Sequence, residues 1–128
     1  MYINILAILV AVIAHMIIGT LWYSRFLFGK QWASLIGISL EEKPAPYKML
    51  LMFIASLLTA FILSVLLFFL APLYILAVMI ALAVWIGFIL PTTLNPILWE
   101  KKSWKLFFIN AGFYLVSLLV MVTILYLL

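Results

Sequence analysis

Residues 49–90 read "MLLMFIASLLTAFILSVLLFFLAPLYILAVMIALAVWIGFIL", without one charged side chain. As a single helix this block would be roughly 63 Å long at 1.5 Å per residue. A bilayer's hydrocarbon core is about 30 Å thick and takes about 20 apolar residues to cross. The block is therefore two spans folded back on each other. Its one interior proline, Pro72 in "FFLAPLY", marks the fold-back, since proline suits the first turn of a helix.

Working outward, "MYINILAILVAVIAHMIIGTLW" supplies a span before this block and residues 105–128 supply one after it. The expected spans are about 3–22, 48–70, 72–90 and 105–128, in one domain over residues 1–128. The first run has no basic n-region and exceeds a usual signal-peptide core of about 7–15 residues, so it is read as a retained span. The fold class is an all-α integral membrane protein, a four-helix transmembrane bundle. Composition agrees: 71% of the 128 residues are hydrophobic and 8% charged, against about 25% charged in a soluble domain. The mean hydropathy is +1.46.

The charges give a direction. Arg25, Lys30, Lys43 and Lys48 lie between spans one and two, and Lys101, Lys102 and Lys105 between three and four. Those loops share a side, and Lys and Arg favour the cytoplasmic one. Basic loops inside and both termini outside are expected. Trp22, Trp32, Trp99 and Trp104 fall on the basic rim; Tyr2, Tyr74 and Tyr126 fall on the other. Such rings settle at headgroup level. The net charge of +4 is accounted for by the membrane, so nucleic acid is not an expected partner.

The stretch "GTLWYSRFLFGKQW", residues 19–32, leaves the first span. Ser24 is placed to cap a short amphipathic helix within about 25–37, with Phe28, Trp32, Leu35 and Ile36 on one face and Gly37 as its stop. Such a segment lies in the interface plane. Trp22, Tyr23, Arg25, Lys30, Trp32, Trp99 and Trp104 are the expected interfacial anchors. Ser39 and Glu42 have the spacing of a capping box before the second span.

No Asp, Glu, Lys or Arg lies inside a span, which argues against a carboxylate-driven antiporter. Small multidrug transporters share this span number but depend on a glutamate in the first helix, where this chain offers His15. His15 sits on a ladder of small residues, Ala7, Ala11 and Gly19, and further ladders run through Ser56, Ala60 and Ser64 and through Ala77, Ala81, Ala83 and Gly87. Small residues let helices approach closely, and the surplus of such faces leads us to expect a homo-oligomer, most simply a dimer. One histidine and no cysteine supply neither a metal nor a haem site, so no metal and no cofactor is expected.

In "WIGFILPTTLNPILW", residues 85–99, Pro91 and Pro96 enclose Thr92, Thr93 and Asn95 and should break the end of the third span. Freed backbone groups at that depth must be buried in protein or line a wet cavity. Counting inward from Trp22 and Lys105 at helical rise puts His15, Thr92, Thr93, Asn95, Asn110 and Tyr114 in one polar layer. On the fourth span Asn110, Tyr114 and Ser117 form one stripe. The layer is either a hydrogen-bonded plug or the lining of a cavity open to the cytoplasm. A transporter or channel-like oligomer with that cavity is one functional reading. A structural or accessory protein that docks a partner or lipids is the other. With no nucleophile–base pair, metal cluster or phosphate loop, an enzyme is not expected.

"GTLWYSRFLFGKQW", "WIGFILPTTLN" and "INAGFYLVSLL" together resemble the family catalogued as domain of unknown function 1761. Gly19, Trp22, Tyr23, Ser24, Phe28, Gly29 and Trp32 carry its first motif; Trp85, Gly87, Phe88, Pro91, Thr92, Thr93 and Asn95 carry its second; Asn110 and Gly112 carry its third. The chain departs at Phe113, where that pattern has His or Tyr. The resemblance implies a prokaryotic inner-membrane protein and transfers no catalytic residue.

Overall fold

A computed structural model describes residues 3–128. Its elements are α1 (Ile5–Trp22), α2 (Gly29–Ile36), α3 (Pro46–Leu70), α4 (Tyr74–Val84), a π-helical segment (Trp85–Ile89), α5 (Leu90–Trp99) and α6 (Trp104–Leu127). The segments from Tyr74 to Trp99 run on as one helix, so four helices are long and apolar enough to cross a membrane. Their best windows have mean hydropathies of 2.2 to 2.7.

The helix ends follow local chemistry. The Asn4 side chain accepts the Ala7 N–H at 3.0 Å and caps α1. Pro46 opens α3 at a position where no N–H is needed. Ser103 accepts the Lys105 N–H at 3.1 Å and starts α6. Pro72 is one step removed from the expected place. It sits in the turn, and α4 starts two residues later with Leu73 as its cap.

The third span continues past residue 90. Pro91 has no N–H to give and would crowd the carbonyl one turn back. The π turn just before it widens the helix, and Leu90 N–H reaches Trp85 O, five residues back. Thr93 Oγ1 then donates to Ile89 O at 2.8 Å, and Thr92 Oγ1 donates to Phe88 O. The proline break is thereby absorbed, and the helix reaches Trp99. Beyond Glu100, Lys101 adopts a left-handed φ of 56°, and Glu100 N–H and Lys102 N–H both close on Pro96 O, at 3.1 and 3.2 Å, which ends the helix.

Two expected caps are built differently. The N-cap of α2 is Phe28, not Ser24, and its side chain makes no capping bond. Ser24 Oγ donates to Leu21 O at 2.6 Å instead. No helix starts at Ser39; its hydroxyl accepts the Glu41 N–H at 3.2 Å in a local turn. Gly37 does end α2, at φ 76°.

The most buried of the four long helices is α6. It runs antiparallel to α1, with Asn4 Nδ2 donating to Leu128 O at 2.9 Å, and antiparallel to α4, where the Tyr74 and Thr123 hydroxyls meet at 2.8 Å. The core holds Ala11, Val12, Ala60, Ala77, Ala81, Met121 and Val122, all essentially inaccessible. The expected small ladders are thus largely spent within the protomer, because alanine lets backbones close up where leucine would hold them apart. Ala83 and Gly87 stay exposed.

Candidate functional site

The three sequence motifs come together at the basic end of the bundle, on residues 109–113 of α6. Trp22 Nε1 donates to Ile109 O at 2.9 Å, and Trp85 Nε1 donates to Ala111 O at 2.8 Å. Between them, Tyr23 OH donates to Asn110 Oδ1 at 2.7 Å. A helix carbonyl has a second lone pair free for such a donor. Three consecutive residues of α6 are therefore gripped from two other helices.

Close approach makes this clasp possible. A Cβ on Gly112 would lie 3.1 Å from Trp22 Cζ2, and one on Gly19 would lie 3.4 Å from Phe113 Cζ. The turn after α1 is tighter still. Phe28 N–H donates to Trp22 O at 2.9 Å and Gly29 N–H to Ser24 O at 2.8 Å. A Cβ on Gly29 would lie 2.4 Å from Tyr23 O, which leaves no room for a side chain. This turn brings Phe28 against Trp22 and Trp32 against Tyr23, each with ring centroids 4.9 Å apart.

The expected rim anchors therefore divide. Trp22 and Tyr23 turn inward and fasten α1 to α6, which corrects their reading as headgroup anchors. Arg25, Lys30, Trp99 and Trp104 are exposed, Trp99 at 81%. Phe26, which the sequence reading did not single out, is 92% exposed beside Arg25. Trp32 is half-buried. Arg25 reaches Glu41 at 3.4 Å, but both side chains are largely exposed, so that pair contributes little.

The expected polar layer also divides. The His15 Nδ1 meets Ser117 Oγ at the α1–α6 contact, with Phe113 beside the ring at 5.3 Å. Asn95 is exposed. Thr92, Thr93, Asn110 and Tyr114 gather elsewhere, around a cleft of about 260 Å³ completed by Pro96, Ile97, Leu106 and Phe107. Every residue of that lining belongs to α5 or α6. The stripe Asn110–Tyr114–Ser117 thus turns its first two members to the cleft and its third to His15.

The cleft has a defined polarity. The threonine hydrogens are spent on backbone carbonyls, and Asn110 Oδ1 is taken by Tyr23. Among the described residues the Asn110 amide nitrogen and the Tyr114 hydroxyl have no partner, and no buried polar side-chain atom is left unsatisfied, so both groups remain accessible. Two donors without partners therefore border a small cleft that no charged side chain lines. Among the described residues no three His, Asp or Glu side chains gather where they could hold a metal ion.

Four apolar spans define the class, a multi-pass helical membrane protein. The model of the family described as "Protein of unknown function (DUF1761)" matches residues 6–126, nearly the whole chain, and the chain belongs to that family. No curated protein and no solved structure matches it.

Proposed function

We propose that the chain is a non-enzymatic binding protein of the membrane whose ligand site is the α5–α6 cleft. The observation that carries this reading is the pair of open donors, Asn110 Nδ2 and Tyr114 OH, in a cleft whose threonine hydroxyls are spent on backbone carbonyls and whose Asn110 Oδ1 is taken by Tyr23. Donors of this kind are what a binding site retains and a packing contact consumes. In the proposed orientation the basic loops face the cytoplasm of a prokaryotic inner membrane and both termini face out. It draws on seven Lys and Arg side chains gathered at one end. The proposed assembly is a homo-oligomer, most simply a dimer, through the exposed Ala83–Gly87 face of the third span.

A second reading, a transporting or channel-like oligomer with the same cleft as part of its cavity, draws support from the π turn and paired prolines beside it. His15 would take no part, being engaged with Ser117.

Native mass spectrometry of the gently extracted protein tests the first reading. A retained small molecule, diminished in both Tyr114→Phe and a cleft-filling Leu106→Trp, is the expected result. Bare protein, or an adduct indifferent to both variants, would remove the binding reading. Solute flux into liposomes that Tyr114→Phe abolishes would promote the second.

A further inference from the structure

We propose that the occupant of the α5–α6 cleft is an anionic phospholipid. Its glycerol-ester oxygen would accept from Asn110 and Tyr114, and its phosphate would face the lysines of the α5–α6 linker. This rests on the cleft being the ligand site and names the chemical class that site takes.

Size is the first argument. A whole drug-sized ligand occupies a pocket of about 300–1,000 Å³, and this cleft has about 260 Å³. It receives part of a molecule, with the remainder outside. Placement is the second. Two sequence-adjacent helices alone line the cleft, so it is a groove along the flank of the bundle, where lipid lies, and not a path between all four spans.

Depth agrees. Asn110 is level with Tyr23, the residue at which α1 ends, and about 9 Å in from Trp104 at helical rise. That is just inside the polar interfacial layer, which is about 5–8 Å thick on each side of the hydrocarbon core. Ester oxygens belong at this boundary, with the acyl chain running on toward the middle of the bilayer.

Chemistry is the third argument. The lining presents two free donors, which suit an acceptor oxygen, and it presents apolar surface from Ile97, Leu106 and Phe107 for a chain. No charge lines the groove, so the formal charge of the ligand must stay outside it. Lys101, Lys102 and Lys105 are exposed on the linker and first turn that join the two groove-forming helices, with Glu100 the single acidic residue among them. Lysines so placed attract an anionic headgroup.

The test uses the full chain in nanodiscs of phosphatidylglycerol or of phosphatidylcholine with matched acyl chains, reading lipid retention by native mass spectrometry. Phosphatidylglycerol should be retained at least about tenfold more strongly. Tyr114→Phe, which removes a hydroxyl that fastens nothing in the fold, should lower that retention several-fold and leave the melting temperature of delipidated protein unchanged. The pair Lys102→Gln with Lys105→Gln should erase the headgroup preference and leave chain-dependent retention in place. Equal retention of the two lipids by the unaltered protein would overturn the proposal, as would retention indifferent to Tyr114→Phe. If Tyr114→Phe releases a molecule that is not a lipid, the cleft stands as a ligand site and the lipid assignment falls. If it releases nothing, both fall.

Discussion

The two ends of the bundle are held by different physics. At the basic end, Trp22, Tyr23 and Trp85 fasten to three consecutive residues of α6 through hydrogen bonds of 2.7–2.9 Å. In the other half, Ala11, Val12, Ala60, Ala77, Met121 and Val122 pack by close apolar contact, and the inter-helix bonds there, Asn4–Leu128 and Tyr74–Thr123, are exposed at its outer edge. Lipid is as apolar as these side chains, so burial gives little drive for helices to associate, and close packing must supply it. Packing of small residues holds helices near each other but tolerates sliding. Directional bonds fix which turn faces which. The residues that carry the family resemblance lie mostly at the clasped end, where position and not bulk is at stake.

The largest effect is expected where the clasp is tightest. Gly29→Val should cost about 3 kcal/mol, because its Cβ would meet backbone oxygens that cannot move aside. Thermal unfolding in detergent measures this, and a wild-type melting temperature would break the contrast between the ends. Next comes the packed half. Ala77→Leu should destabilise by about 1–3 kcal/mol through overpacking, whereas the same change at exposed Ala83 should leave the monomer's unfolding unaltered.

Smaller again is the single bond. Tyr23→Phe should cost about 0.6–1.7 kcal/mol, the range for hydrogen bonds between membrane helices. A double-mutant cycle with Asn110→Ala should return most of that as coupling; additive losses would mean the 2.7 Å contact is incidental. The smallest change has the opposite sign. Lys101→Gly should stabilise the end of α5 by about 0.5–1 kcal/mol, since glycine adopts the left-handed φ of 56° without strain. A melting temperature that falls would show that the lysine side chain holds the linker.

Counting inward from Trp22 and Lys105 misplaces the polar residues for a definite reason. Trp22 does not mark the rim; it folds inward onto Ile109, so α6 extends several residues beyond the end of α1. The register is legible from the far end instead. His15 lies eleven residues past Asn4 and Ser117 eleven before Leu128, so the Asn4–Leu128 bond carries through to His15–Ser117 and to Gly19 beside Phe113. Ser24 and Ser39 cap no helix, because a serine can satisfy a local turn as readily as a helix start.

By itself the sequence determined the number of spans, their direction of folding back and the gathering of charge at one end, because hydrocarbon admits only apolar helices of sufficient length. It also located the perturbed turn of the third span beside Pro91, since a missing N–H is a local fact, although the π turn there carries the helix on to Trp99 where a break was expected. Only the tertiary structure decided which polar side chains meet. A spanning helix is apolar toward lipid and toward its neighbours alike, so hydrophobic periodicity does not say which face of α6 looks inward. That choice was made by Gly112 and Gly29, whose missing side chains let Trp22 and Tyr23 close on α6 and left Asn110 and Tyr114 with donors to spare.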